Sequence, residues 1–289
     1  MIDLVYNVLR DLSVISRKDR CSFSAHFQRN LNFFIYPEGR KEFYQVKVSS
    51  VMPLADEHQA LTEAYALFPR HVAKPLGFFA KHGLEFLACE GIRCTEVCSL
   101  SGGNDSTVEQ TLWMLIEWKG FGGASRPMDG LASLHTAFLD CESLLPGPVA
   151  HELEKRIDTF PAQFPSIRQH GDFVCCNMAM SKKNLVIFDW EDFGKICVPG
   201  LDVWTFVVDA LSDFTPERFS ALNNFKDYPP DFVALLRAFS REYGLQARDF
   251  LRFMPLYMLL FLHLKIQYGY SQAIIAACKD LLISCITAP

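Results

Sequence analysis

The pattern of apolar residues changes near residue 90, and this change constrains the fold more than any other feature of the chain. Before it, short runs rich in aromatic and β-branched residues alternate with turn residues, which is typical of strands. After it, apolar residues recur mostly at helical spacing. We therefore predict an α+β protein with a sheet-rich lobe at 1–90 and a mainly helical lobe at 91–289, joined by a hinge at about 89–93.

The first part predicts the order helix, three strands, helix, two strands, and the second part predicts helices interrupted by one hairpin. In the first part, helices are expected at 2–12 and 54–68, and strands at 21–28, 31–36, 42–48, 73–79 and 84–89. In the second part, helices are expected from about 106 to 118 and at 129–143, 149–160, 201–212, 231–243, 247–267 and 271–286, with hairpin strands at 177–180 and 184–188.

Composition excludes some classes of protein. The net charge is −5, with no cluster of basic residues, so we expect no nucleic-acid partner. The most apolar run, 253–264, is too short to span a bilayer and contains Pro255 and His263, so we expect a buried helix and no membrane segment. Ten cysteines show no disulfide or zinc spacing, and no signal peptide is visible, so we expect reduced thiols in a cytoplasmic protein.

A candidate catalytic loop begins at His170. Asp172 and Asn177 stand five residues apart, which matches the spacing His-x-Asp-x₄-Asn in the catalytic loop of kinases. There the aspartate faces the acceptor hydroxyl, and the asparagine turns back to bind Mg²⁺. Alone, this short pattern also arises by chance in loops.

The residues after the loop make the pattern more specific. An apolar strand at 185–188 delivers Asp189 at its end, where a second Mg²⁺ ligand is expected, because carboxylate and amide oxygens are the hard ligands that this ion prefers. A turn-capping role is the alternative. Asp192 begins a literal Asp-Phe-Gly, but it lies three residues beyond the strand, so we assign the metal to Asn177 and Asp189. Glu191 is a further candidate ligand or hydrogen-bonding partner.

Together, residues 169–177 and 187–191 resemble the aminoglycoside phosphotransferase and choline kinase superfamily, and 131–135 and 199–202 resemble its adjoining segments. The resemblance implies a two-lobed protein-kinase-like fold and a small-molecule kinase that uses ATP and Mg²⁺. It implies Asp172 as the catalytic aspartate. It also implies that His170 and Asp202 support the loop, with Asp202 bracing its backbone from the start of a helix.

The same resemblance extends more weakly to the first 90 residues. Lys47 on the third strand resembles the lysine that holds the α- and β-phosphates, and its partner is expected on the next helix. Glu57 shares a stripe with apolar residues and is preferred, while Glu63 is the alternative. Residues 84–91 resemble the last strand and hinge, which places backbone groups of Glu90 and Ile92 near adenine.

Three features bear on the activity and on the acceptor. No glycine occurs between Cys21 and Phe34, where the family has a glycine-rich loop, so a pseudokinase that acts as a binding or scaffolding module is the alternative function. Only 13 positions separate Asp189 from Asp202, which leaves no room for the activation segment of a protein kinase and favours a small hydroxyl compound. The acidic excess lies wholly in 127–289, which favours either a cationic acceptor or an ordinary acidic surface. The acceptor's identity and the oligomeric state stay open.

Overall fold

The computed structural model describes residues 1–27, 30–51, 53–94, 96–97, 130–160, 167–182, 184–212, 222, 228–242 and 247–287. The helix predicted at 106–118 lies outside these residues. The described chain forms two compact units, one made of 1–97 with 178–191 and the other of 98–177 with 192–289. The hairpin that follows the candidate catalytic loop therefore belongs with the first unit, whereas the sequence analysis placed everything after residue 90 in the second.

The first unit is built on a five-stranded antiparallel sheet in the order β1-β2-β3-β5-β4, with a small sheet in the order β6-β7-β8. A parallel bridge between Val72 and Ile187 links the hairpin β7–β8 to the rest of this unit. The elements are α1 (Ile2–Asp11), β1 (Cys21–Phe27), β2 (Leu31–Pro37), β3 (Tyr44–Ser49), α2 (Leu54–Leu67), β4 (Pro75–Lys81), β5 (Leu84–Glu90), β6 (Glu96–Val97), β7 (Met178–Ser181) and β8 (Asn184–Ile187).

Alternation along β3 decides which side chains meet the core and which meet the candidate site. Tyr44, Val46 and Val48 are buried in a core that includes the apolar stripe of α1. Since successive side chains of a strand point to opposite faces, Gln45 and Lys47 lie on the other face of the sheet. That pattern is what brings Lys47 to the side occupied by Glu57 of α2.

The second unit is helical. Its longest helix, α7, packs against all the other helices described in that unit, and it continues through Pro255. Leu256, Leu260 and Leu262 of α7 are fully buried, as the apolar run at 253–264 predicts. The helices are α3 (Gly130–Cys141), α4 (Gly147–Asp158), α5 (Leu201–Ser212), α6 (Pro230–Glu242), α7 (Ala247–Gln267) and α8 (Gln272–Thr287).

Most predicted elements agree with the structure to within two residues at each end. Strand β6, which pairs with β7 at Glu96–Met180 and Val97–Ala179, was missed, because two residues are too few to show alternation. No helix in the part of the chain that the structure describes is both long and apolar enough to cross a bilayer. The described cysteines are all free thiols.

Gly200 fixes the start of α5, which carries Asp202. Its φ is +96°, a backbone conformation that only glycine adopts readily. A Cβ at this position would also lie 2.6 Å from Tyr257 Oη and 2.8 Å from Phe239 Cζ. Gly200→Ala should therefore lower the free energy of unfolding by about 1–3 kcal/mol, through backbone strain and overpacking. Urea unfolding followed by circular dichroism measures this loss.

Gly147→Ala is the matched control, since Gly147 has an ordinary φ and open space around its Cα at the start of α4. It should leave stability unchanged or slightly raised. Equal effects of the two substitutions would contradict this account of Gly200.

Candidate active site

Lys47 is the centre of a charged cluster in the first unit. Its Nζ donates to both carboxylate oxygens of Glu57, at 2.8 and 2.7 Å, and lies 3.8 Å from carboxylate oxygens of Asp189 and Glu191. Its side chain is only 14% exposed. Glu63, the other candidate partner, instead accepts a hydrogen bond from Gln59 one turn earlier on α2.

One ammonium group thus faces three carboxylates within 4 Å. Burial by itself would lower the pKa of Lys47, but the charges of Glu57, Asp189 and Glu191 outweigh it, so the pKa lies above its ordinary value. The cluster carries an excess of two negative charges when all four groups are ionised. Such an excess favours a further cation, and the donor oxygens are of the kind that Mg²⁺ prefers.

Asp189 reaches this cluster because the hairpin is fastened to the first unit. The N–H of Ile187 donates to the carbonyl of His71 at 2.8 Å, and a ring nitrogen of His71 lies 2.8 Å from the Leu185 carbonyl. Asp189 then adopts φ +61°, a left-handed conformation that aspartate tolerates better than most residues. Its side chain is 43% exposed and therefore accessible to a ligand.

The candidate catalytic loop in the second unit is held by Asp202 at the first turn of α5. The carboxylate of Asp202 accepts from the N–H of His170 at 2.7 Å and from the N–H of Gly171 at 3.0 Å. In return, the Asp202 N–H donates to the side-chain oxygen of Gln169 at 3.0 Å. His170 is fully buried, and its Nδ1 accepts from the N–H of Asp172 at 3.3 Å. Four consecutive residues are thereby fixed before any substrate binds.

Burial raises the pKa of Asp202 to about 7, although the two N–H donors favour the ionised form and act in the opposite direction. Asp202 is 1% exposed, so water cannot take the place of its carboxylate as the acceptor for the N–H groups of His170 and Gly171. The carboxylate is therefore needed to satisfy two buried donors.

Asp172 and Asn177 contact each other within the loop. The Asn177 Nδ2 donates to the carbonyl oxygen of Asp172 at 2.9 Å and lies 3.3 Å from its Oδ2. The Oδ1 of Asn177 accepts a weak contact from the Cys176 thiol at 3.8 Å and is the atom of this side chain that can bind a metal. The N–H of Cys175, between them, is held by Asp209 of α5 at 2.6 Å.

Lys265, on the last turn of α7, is a residue that the sequence analysis missed. Its Nζ donates to Asp172 Oδ1 at 2.9 Å, and its side chain is 9% exposed. Burial alone would lower its pKa, but Asp172 is the main opposing influence, and the pKa lies above its ordinary value. The one signal in the sequence was a lysine directly after the most apolar run, which is also common where a helix emerges at the surface.

Asp192 takes a different place from Asp189. The residue is 5% exposed, its Cβ packs against Gly171, and its carboxylate lies 3.6 Å from Lys195 Nζ. Burial raises its pKa to about 6. The aspartate of the literal Asp-Phe-Gly is thus part of the packing of the second unit, and Glu191 lies beside Lys47 in the first.

The hinge segment leaves β5 through Glu90. Its N–H donates to the Lys74 carbonyl at 2.9 Å, and the N–H of Gly91 donates to the Phe43 carbonyl at 2.7 Å. Those two backbone donors are therefore used within the first unit. The next N–H along the chain is that of Ile92, which is the donor the resemblance assigns to adenine.

Comparison with solved structures confirms the predicted fold. An ethanolamine kinase from Plasmodium vivax superposes with a TM-score of 0.65 at 11% identity, over 92% of this chain and 81% of that one. A choline kinase from Streptococcus pneumoniae gives 0.63 at 14%, over 99% and 100%. An aminoglycoside phosphotransferase in complex with ADP and hygromycin B gives 0.58 at 14%, over 98% of both chains. No protein-family model and no curated protein matches the sequence.

These structures carry the names of small-molecule kinases, the groups that the motif at 169–202 resembles. At 11–14% identity, the likeness establishes the fold of this chain. What the chain does must be argued from its own residues.

Asp202→Asn tests the brace. An amide can present only one acceptor oxygen, so one of the two buried N–H groups of His170 and Gly171 loses its partner, at a cost of about 1–3 kcal/mol in unfolding free energy. Urea unfolding measures the loss. Asp280→Asn, at an exposed position of α8, is the control and should change stability by less than about 0.5 kcal/mol. If Asp202→Asn loses no more stability than this control, Asp202 does not brace the loop.

Proposed function

We propose that this protein is an ATP-dependent phosphotransferase that moves the γ-phosphoryl group onto a hydroxyl of a small molecule. The observation that best supports the proposal is the cluster at Lys47, where residues distant in sequence converge on one buried ammonium group. Burying charges in such a cluster adds little net stability, so their convergence favours a functional role. The second support is the braced loop that presents Asp172.

Each residue has a role in the proposed transfer. Lys47, oriented by Glu57, binds the α- and β-phosphates and offsets their charge. Asp172 accepts the proton of the acceptor hydroxyl while a new bond forms between the hydroxyl oxygen and the γ-phosphorus, and the bond from that phosphorus to the oxygen of the leaving ADP breaks. The N–H of Ile92 and the carbonyl of Glu90 contact adenine.

The donor set fits Mg²⁺. Asn177 Oδ1 and the half-exposed carboxylate of Asp189 would hold it, and Mg²⁺ when bound neutralises charge on the phosphates. Among the described residues, no group of three or more His, Cys, Asp or Glu side chains forms a metal cage.

The acceptor is proposed to be aminoglycoside-, choline- or sugar-like, since the span from Asp189 to Asp202 leaves no room to dock a peptide. A cationic acceptor agrees with the acidic excess after residue 126. We place the reaction in the cytoplasm, where ATP is available and free thiols persist. An assay of ADP release across cationic and neutral hydroxyl compounds tests the proposal directly. It fails if no compound raises the rate above that without protein.

One observation favours a second function, that of a pseudokinase which binds a partner. Strands β1 and β2 and the residues between them in sequence include no glycine, so the backbone cannot approach phosphates as a glycine-rich loop does. A thermal-shift titration with Mg-ATP separates the two functions, because a ligand that binds the native state raises the unfolding midpoint. Nucleotide binding without turnover would favour the pseudokinase.

The metal assignment predicts different behaviour for two aspartates. Asp189→Asn should remove most of the Mg²⁺-dependent part of ATP binding, because a half-exposed carboxylate ligand is lost. Asp192→Asn should leave that part in place, since Asp192 is packed beside Gly171. Calorimetric titration of ATP with and without Mg²⁺ gives the comparison. The reverse pattern would show that the literal Asp-Phe-Gly carries the metal.

Asp172→Asn separates binding from chemistry. The amide keeps the size of the side chain but cannot accept the hydroxyl proton, so turnover should fall by about 10²–10⁴-fold. Affinity for Mg-ATP should change little, because the proposed nucleotide contacts lie at other residues. Calorimetry and a coupled ADP assay on the same preparation measure both. Turnover near the wild-type rate would remove Asp172 as the catalytic aspartate.

A further inference from the structure

The catalytic loop carries no cationic residue between Asp172 and Asn177; its sequence there is Phe-Val-Cys-Cys. A cation nevertheless contacts Asp172, and it comes from α7, 93 residues later in the chain. Lys265 Nζ lies 2.9 Å from Asp172 Oδ1, which is the distance of a charge-assisted hydrogen bond. Neither the motif nor the resemblance assigns any role to this lysine.

The ammonium group of Lys265 is fixed by its surroundings. The rings of Phe261, one turn earlier on α7, and of Tyr270 each have their centroid 4.5 Å from Nζ, so the cation lies against two aromatic faces. The backbone closes over the same residue, since the N–H of Tyr270 donates to the Lys265 carbonyl at 3.0 Å. Lys265 therefore has little freedom to leave Asp172.

Stability alone does not account for a charge in this place. A buried ion pair is often no more stabilising than apolar side chains of the same volume, and the rings of Phe261 and Tyr270 would accept an apolar neighbour. Asp192, which lies 3.6 Å from Lys195 Nζ, also acts on Lys265 electrostatically, but less strongly than Asp172 does. The retained charge therefore points to a task at Asp172.

The contacts of the carboxylate suggest that task. Oδ1 of Asp172 is held by Lys265 and Oδ2 lies 3.3 Å from Asn177 Nδ2, so both oxygens are fixed. A carboxylate oxygen accepts at two lone-pair sites, so one site on each oxygen stays open for the acceptor hydroxyl. We infer that Lys265 is a positioning residue that holds Asp172 in the orientation needed to receive the hydroxyl proton. This inference rests on the proposed function.

The test compares Lys265→Met, Lys265→Arg and the control Lys155→Met, which removes an exposed lysine of α4. Rates of ADP release from Mg-ATP are measured with water as the acceptor and with the most active compound of the hydroxyl screen. Lys265→Met should lower kcat by about 10²-fold, the size of effect expected from a misplaced catalytic group, with KM for ATP within about threefold of wild type. Lys265→Arg should recover part of kcat, since a guanidinium group also binds a carboxylate.

A double variant guards against failure to fold. Lys265→Met leaves the charge of Asp172 without its partner, so its thermal midpoint should fall, whereas adding Asp172→Asn should restore part of that fall. If the midpoint changes of the two single variants simply add in the double variant, Lys265 and Asp172 do not form an energetically coupled ion pair. Wild-type kcat in a folded Lys265→Met, a rise in KM without a fall in kcat, or no recovery with arginine would overturn the positioning role. A wild-type protein that consumes no ATP with any acceptor overturns the proposed function instead, and this inference with it.

Discussion

The carboxylate of Asp202 binds two successive backbone amides, those of His170 and Gly171, and the geometry of the whole catalytic loop depends on it. The brace works because α5 begins at a fixed point, set by Gly200 with its left-handed backbone and its close contact with Tyr257. Tyr257 in turn donates to the Pro199 carbonyl from the middle of α7. A line of short contacts thus joins the longest helix of the second unit to the segment that presents Asp172.

Much of this could be predicted from the sequence, because the determining signals are local. The alternation of β3 places Lys47 on the face opposite the core. Glu57 was predicted as its partner because it shares a stripe of α2 with apolar residues, and the structure pairs it with Lys47. Asp189 follows the predicted apolar strand β8, and its role as a metal ligand stays a prediction. The fold class is confirmed by the two units and by the solved structures that superpose on them.

The rest could not be predicted, because it depends on tertiary contacts. Lys265 meets Asp172 only through the packing of α7, and neither its spacing nor its neighbours in sequence distinguish it from a surface lysine. Strand β6 is defined entirely by its partner β7. The place of Asp192 beside Gly171 likewise follows from packing, although its distance from the strand end had argued against a metal role.

The origin of Lys265 in α7 has a consequence for how such chains change over time. If Asp172 depends on a charge supplied by a distant helix, then positions 172 and 265 are expected to change together. A neutral residue at one should accompany a change at the other. Inspection of the loop alone would score a chain that has lost the lysine as intact. Surveys of related sequences therefore need to read the end of this helix alongside the loop before they sort active proteins from inactive ones.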